Sequence, residues 1–299
     1  MKLPVHIRAE IALALVALLW GGTFVLVKSA LSDISSLVYL ALRFSLAALV
    51  LLFYFRRETI FRLPARSFAI AALVGALLMS GYMLQTIGLL TVSPAKSAFL
   101  TGLSIPFVPI LTALLFRRAP RWQEFVGLLF AVTGTALLSW PGEKFSFSKG
   151  DWLTVGCAVA FAFHIIALGH FTRQVGVAPM ACWQIVFGAG FAALGSPLVE
   201  KPFWNPTPAT YWAIVIGGVF ATAVAFGVQT WAQQHVTATR AVLIFSLEPV
   251  FAWLTSFLVL GEVLTQRAAL GAMLIMLGIL FAEVKPQPTE GHPFNGSLN

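Results

Sequence analysis

A carboxylate, an imidazole, two amides and an indole stand in the middle of stretches that are otherwise apolar: Glu248, His164, Gln85, Gln229 and Trp20. An ionisable group at bilayer depth costs at least about 2.5–3.5 kcal/mol on insertion scales, so each one requires an explanation. Glu248 precedes Pro249, whose missing N–H leaves a carbonyl one turn earlier open to a substrate or water. It reads equally as a structural carboxylate paired with Arg43 or a backbone donor, and Arg43 itself reads as an anchor rather than a ligand. His164 has the chemistry to relay a proton or donate to a substrate carboxylate, against the plainer reading of a neutral packed histidine. Trp20 is too deep for an interfacial belt and reads as a cavity wall. Met79, Tyr82 and Thr86 share one helical face, with Gln85 beside them, and Gln229-Thr230 repeats Gln85-Thr86. Paired glutamines offer donors and acceptors to a zwitterion, or else bond neighbouring helices. Ser97, Thr101 and Ser246 are weaker candidates, because Ser and Thr commonly bond their own helix. Lys96 and Arg240 occupy equivalent positions at the starts of two runs, as snorkelling flanks or as charged gateposts at two mouths.

The elements that must position these groups follow from composition. With 59% hydrophobic and 10% charged residues, and a mean hydropathy of +0.89, the chain is an integral membrane protein and the lipid bilayer is its first partner. A span needs about 20 apolar residues. Ten runs meet that need, near 9–29, 35–55, 67–90, 94–116, 121–140, 151–171, 178–199, 209–233, 238–260 and 265–283. The net charge of +8 sits between the runs, which refuses a nucleic-acid reading. Arg56, Arg57, Arg62 and Arg66, then Arg117, Arg118 and Arg121, place both termini in the cytoplasm under the positive-inside rule, in the plasma membrane of a bacterial cell. The first run stays apolar past Trp20-Gly21-Gly22, so it is read as a span and not a cleaved signal. Cys157 and Cys182 fall inside runs and read as packing residues.

Residues 82–140 and 226–283 repeat one pattern. Gln85-Thr86 recurs as Gln229-Thr230, Gly127 as Gly271 and Gly134 as Gly278, each 144 positions on, while Pro106 recurs as Pro249 after 143. Five spans per half is odd, so the second half enters the membrane in the opposite sense. The expected architecture is an all-α membrane protein of ten helices, formed by inverted repeats 1–140 and 151–284 around a central cavity. Residues 141–150 are the linker, and 285–299 form a disordered tail. Gly127, Ala131 and Gly134, with Gly271 and Gly278, give smooth stripes suited to close helix contact.

Leu247-Glu248-Pro249-Val250-Phe251-Ala252, followed by Leu260-Gly261-Glu262, Gly271 and Gly278, resembles the signature of the drug/metabolite transporter superfamily, EamA branch. Trp20-Gly21-Gly22-Thr23-Phe24 is similar to that family's opening motif, and the resemblance runs from about residue 11 to 283. The first half departs from it, with Arg117-Arg118 opposite Gly261-Glu262 and Ile105 opposite Glu248. The resemblance implies ten helices in inverted repeats, a central cavity, and export or exchange of small metabolites, amino acids prominent among them. Trp20, Tyr82 and His164 extend it towards the exporters of aromatic amino acids. An intramembrane enzyme is disfavoured by the absence of His-Glu-x-x-His, paired aspartates or Gly-x-Ser-x-Gly motifs, and no cofactor or metal is expected. A channel would present a ring of like charge, which the sequence lacks. Proton coupling through Glu248 or His164 and simple facilitated diffusion are both compatible with this set.

Overall fold

The computed structural model describes residues 3–117, 119–139, 147–260 and 265–283, which are helical apart from their connections and one isolated bridge between Ile34 and Trp204. The expectations placed on Arg118, residues 141–146, Gly261-Glu262 and the tail from Lys285 lie outside the described residues. The helices are α1 (Val5–Gly21), α2 (Phe24–Ala30), α3 (Ser36–Tyr54), α4 (Ala65–Leu89), α5 (Pro94–Thr101), α6 (Ser104–Phe116), α7 (Trp122–Ser139), α8 (Lys149–Val175) and α9 (Val177–Val199). Then come α10 (Pro208–Val215), a π-helical segment (Ile216–Val224), α11 (Ala225–Ala232), α12 (Ala238–Phe245), α13 (Leu247–Leu260) and α14 (Gln266–Glu283). By length and composition, 8 helical stretches among the described residues suffice to cross a membrane, and Trp122–Leu138 and Gln266–Ala282 are shorter apolar helices.

Several runs expected as single helices are interrupted, and proline chemistry accounts for two of the breaks. Pro106 has no N–H to offer the Gly102 carbonyl, which instead accepts from Ile105 N at 2.9 Å, and the chain tightens between α5 and α6. Pro249 stands one turn beyond Phe245 in the same way. There Ser246 N is shared between the Val242 and Leu243 carbonyls at 3.2 Å each, and α12 gives way to α13. The first span breaks at Gly22-Thr23, where the Thr23 hydroxyl donates to the Trp20 carbonyl at 2.8 Å. Gly176 alone makes the corner between α8 and α9, at a φ of 95° that side chains disfavour.

The two halves pack mainly on each other: α3 on α9 and the π segment, α4 on α8 and α9, α1 on α11, α12 and α13, α6 on α8, and α7 on α14. Outside the spans they are clasped by polar contacts. The Asp33 carboxylate accepts from the hydroxyls of Thr207 (2.7 Å) and Thr210, and Asp33 O accepts from Asn205 N at 2.9 Å. The Thr207, Thr210 and Ser32 hydroxyls hold the Asp33 carboxyl below its ordinary value. Glu200 Oε1 accepts from the first-turn amides of α3, Leu37 N at 2.9 Å and Val38 N at 3.2 Å, where the helix dipole favours an anion. Between α9 and the loop before α4, Trp183 Nε1 donates to Ile60 O at 2.7 Å.

Candidate functional site

Where the halves meet, a cavity of about 90 Å³ opens, large enough to hold water. From the first half it is lined by Trp20, Thr23, Arg43, Tyr82, Gln85 and Thr101, and from the second by Phe161, His164, Phe226, Gln229, Phe245 and Glu248, with further apolar neighbours. One wall is aromatic. The Trp20 ring lies 5.4 Å from Phe226 and 5.1 Å from Phe245, and Tyr82 meets Phe161 edge-on at 5.2 Å. Such tilted and edge contacts suit the ring quadrupoles and hold each ring in place.

The polar groups are fixed by different means. Trp20 Nε1 donates to Ala221 O, in the π segment, at 2.9 Å. His164 Nε2 stands 3.0 Å from Gln184 Oε1, while Gln184 Nε2 donates to Thr230 Oγ1 at 3.0 Å. With the amide nitrogen so used, the oxygen accepts, and the imidazole proton is assigned to Nε2. Gln85 Nε2 donates to Thr101 Oγ1 at 3.0 Å. Gln229 Nε2 donates to Gln233 Oε1 at 2.8 Å, and Gln233 Nε2 reaches Ile165 O at 2.9 Å. Gln229 Oε1 is buried without a partner among the described residues.

Two candidates lie off the cavity wall. Ser246 Oγ donates to Leu243 O at 2.5 Å within its own turn, and Ser97 is fully buried away from the lining. Met79 is buried in the core, although its face-mates Tyr82 and Thr86 line the cavity. Lys96 and Arg240 also stand apart from it, each in an ion pair. Lys96 Nζ meets Asp151 Oδ2 at 2.9 Å, and Arg240 Nη1 meets Glu10 Oε1 at 2.9 Å. The two sites are built alike. Each cation is the third residue of a short helix whose N-cap hydroxyl, Ser93 or Thr237, accepts from its backbone N–H. Each acid comes from the early turns of a long helix in the opposite half, α8 or α1.

Two contributions escape a reading of the sequence. Arg43 is not paired with Glu248; it faces the cavity, its Nε donating to Thr222 Oγ1 at 2.7 Å and its Nη2 to Ala221 O at 3.3 Å and Tyr82 Oη at 3.4 Å. Gln184, on α9, joins His164 to α11 and carries no repeat or motif that would mark it. Among the described residues no group of three or more metal-ligating side chains converges.

The EamA-like transporter family matches residues 7–140 and again 148–283. An uncharacterised transporter of Archaeoglobus fulgidus is 32% identical over 284 residues, covering 94% of this chain and 87% of that protein. The threonine/homoserine exporter RhtA of Escherichia coli is 25% identical over 91% of this chain and 90% of its own length. A probable terminal-alkyne amino-acid exporter of Streptantibioticus cattleyicolor is 23% identical over 91% and 92%. One solved structure superposes with a TM-score of 0.79 at 21% identity, across 93% of this chain and 98% of that one, which is a likeness of fold.

Proposed function

This chain belongs to the EamA-like transporter family, and from that premise we propose that it is a secondary transporter exporting small metabolites across the plasma membrane of a bacterial cell. Amino acids are the foremost substrate class. The observation that carries this reading is the cavity between the halves, where aromatic walls stand beside polar side chains, among them the unpartnered acceptor Gln229 Oε1. A zwitterion with an apolar body asks for that mixture. The exporter names of two relatives point to the same class.

In this reading ten helices cross the membrane as two inverted five-helix repeats, with both termini cytoplasmic, and one half rocks against the other around the cavity. The ion pairs Lys96–Asp151 and Arg240–Glu10 are its two gates. They tie α5 to α8 and α12 to α1, so alternating access requires them to break in turn. Proton coupling and facilitated exchange are separated by whether a pH gradient drives flux.

Aromatic or large neutral amino acids are the preferred substrates on the character of the walls, but the void is smaller than the roughly 150 Å³ that takes a benzene ring. An aromatic substrate therefore needs the Trp20, Phe226 and Phe245 wall to part. Counterflow of labelled phenylalanine and threonine into liposomes, with and without a pH gradient, tests both points. Exchange of both is expected, and Trp20→Ala should slow phenylalanine more than threonine. Absence of either exchange, together with no protection of overproducing cells against toxic amino-acid analogues, transfers the proposal to another metabolite, such as a sugar derivative or a polyamine.

A further inference from the structure

Arg43 is 3% exposed and sits on α3 at the cavity wall. Its nearest company is neutral: a threonine hydroxyl, a carbonyl and a tyrosine hydroxyl hold Nε and Nη2, and the guanidinium carbon stands 4.9 Å from the centroid of the Tyr82 ring. Nη1 makes no hydrogen bond, and no carboxylate of the described residues lies within ion-pair distance. The Tyr39 hydroxyl stands beside the same side chain, so Arg43 is oriented by neutral groups while its charge stays unpaired. An intramembrane arginine pairs with an anion or with backbone carbonyls, and here the Ala221 carbonyl meets Nη2 alone.

The complementary deficit lies on the same wall. Glu248 makes no hydrogen bond or ion pair among the described residues, and Gln229 Oε1 is a buried acceptor without a donor. Arg43, Tyr82, Gln229 and Glu248 line the same cavity, so one substrate held there faces both charges. Yet Arg43 and Glu248 do not neutralise each other by direct contact.

Building on the amino-acid reading above, we propose that Arg43 Nη1 is the carboxylate subsite of the cavity, with Glu248 and Gln229 Oε1 receiving the ammonium group of the same zwitterion. The guanidinium presents planar N–H donors suited to a carboxylate, already held in orientation at the cavity wall. A substrate that brings both charges satisfies both ends. A polyamine leaves Arg43 unmet, and an uncharged sugar leaves both ends unmet, each at the cost of desolvated groups without partners.

The test uses the full chain in liposomes preloaded with phenylalanine. Wild type, Arg43→Lys and Arg43→Gln are compared for counterflow of labelled phenylalanine, competed by unlabelled phenylalanine, phenylalaninamide and phenethylamine. Monodisperse elution and thermal melting in detergent confirm that each variant is folded. Wild type should be inhibited by phenylalanine far more than by the two compounds lacking a carboxylate. In Arg43→Gln the half-saturating concentration of phenylalanine should rise by about ten- to a hundredfold, the worth of one hydrogen bond to a charged group, and the preference over the amide should vanish. Arg43→Lys, which keeps the charge but not the planar fork, should fall between the two. If Arg43→Gln does not fold, Arg43→Lys carries the comparison through its loss of preference. A folded variant that keeps the wild-type preference overturns the assignment of Arg43 while leaving amino-acid transport intact. A wild-type protein that exchanges no amino acid overturns both.

Discussion

Gly127 and Gly278 meet backbone to backbone: a Cβ on either would stand 2.6 Å from the carbonyl oxygen of the other. Gly134 and Gly271 repeat the relation, at 2.5 and 2.6 Å. Neither α7 nor α14 can yield by turning a side chain, because the opposing atoms are main chain. Gly127→Val and Gly278→Val should each cost about 1–3 kcal/mol of stability, the range for overpacking a filled site. Gly190, with nothing within 4 Å of its Cβ position, supplies the control. Thermal melting in detergent should rank Gly190→Ala near wild type and both valine variants below it.

Breaking one gate should bias the cavity towards one side. Asp151→Asn should raise labelling of a cysteine placed at Thr23 by a reagent added outside, and Glu10→Gln should raise it for the same reagent added inside. Losing about 1–2 kcal/mol from one closed end corresponds to roughly a five- to thirtyfold rise in its open fraction. Equal labelling from both sides in both variants would remove the gating role.

The clasp at Asp33 carries a pH signature. Its carboxyl is held below the ordinary value of 3.8 by the Thr207, Thr210 and Ser32 hydroxyls. The stabilisation is complete above that value and fades as pH falls through the lower native one. Asp33→Asn should therefore melt below wild type at neutral pH, and the gap should close on acidification. A gap that widens as pH falls contradicts the sign.

Loop charge predicts an orientation that labelling can check. A cysteine at Lys149 should react with an impermeant reagent from outside the cell and one at Arg62 should not. The opposite pattern inverts the topology.

Hydrophobic runs alone mark where helices lie, and their expected limits agree closely with Ser36–Tyr54 and Val177–Val199. The cavity residues shared by both halves stand out because a polar side chain in an apolar run is conspicuous: Gln85, His164, Gln229 and Glu248 are all on its wall. The sequence does not say which face of a helix an isolated charge occupies. Arg43 reads as an anchor by its type, and only the packing of α3 against the π segment turns it inward. Ser97 shows the reverse, since a polar type at the right depth lands off the wall. The broken helices are legible in retrospect at Pro106 and Pro249. The π segment, built from Ile216-Gly217-Gly218-Val219-Phe220-Ala221-Thr222-Ala223-Val224, has no proline to announce it.

That segment also sets a rotational phase. A π turn carries one residue more than the α turn it replaces, and one residue of α-helix is about 100° of azimuth. Everything beyond Val224 is thereby dialled round the axis relative to α10. Were Ile216–Val224 wound as ordinary α-helix with α10 held in place, Gln229 and Phe226 would swing round the axis off the cavity wall. The wider coil acts as an indexing step, bringing the cavity-lining surface of α11 and the packing surface of α10 into register on one continuous span.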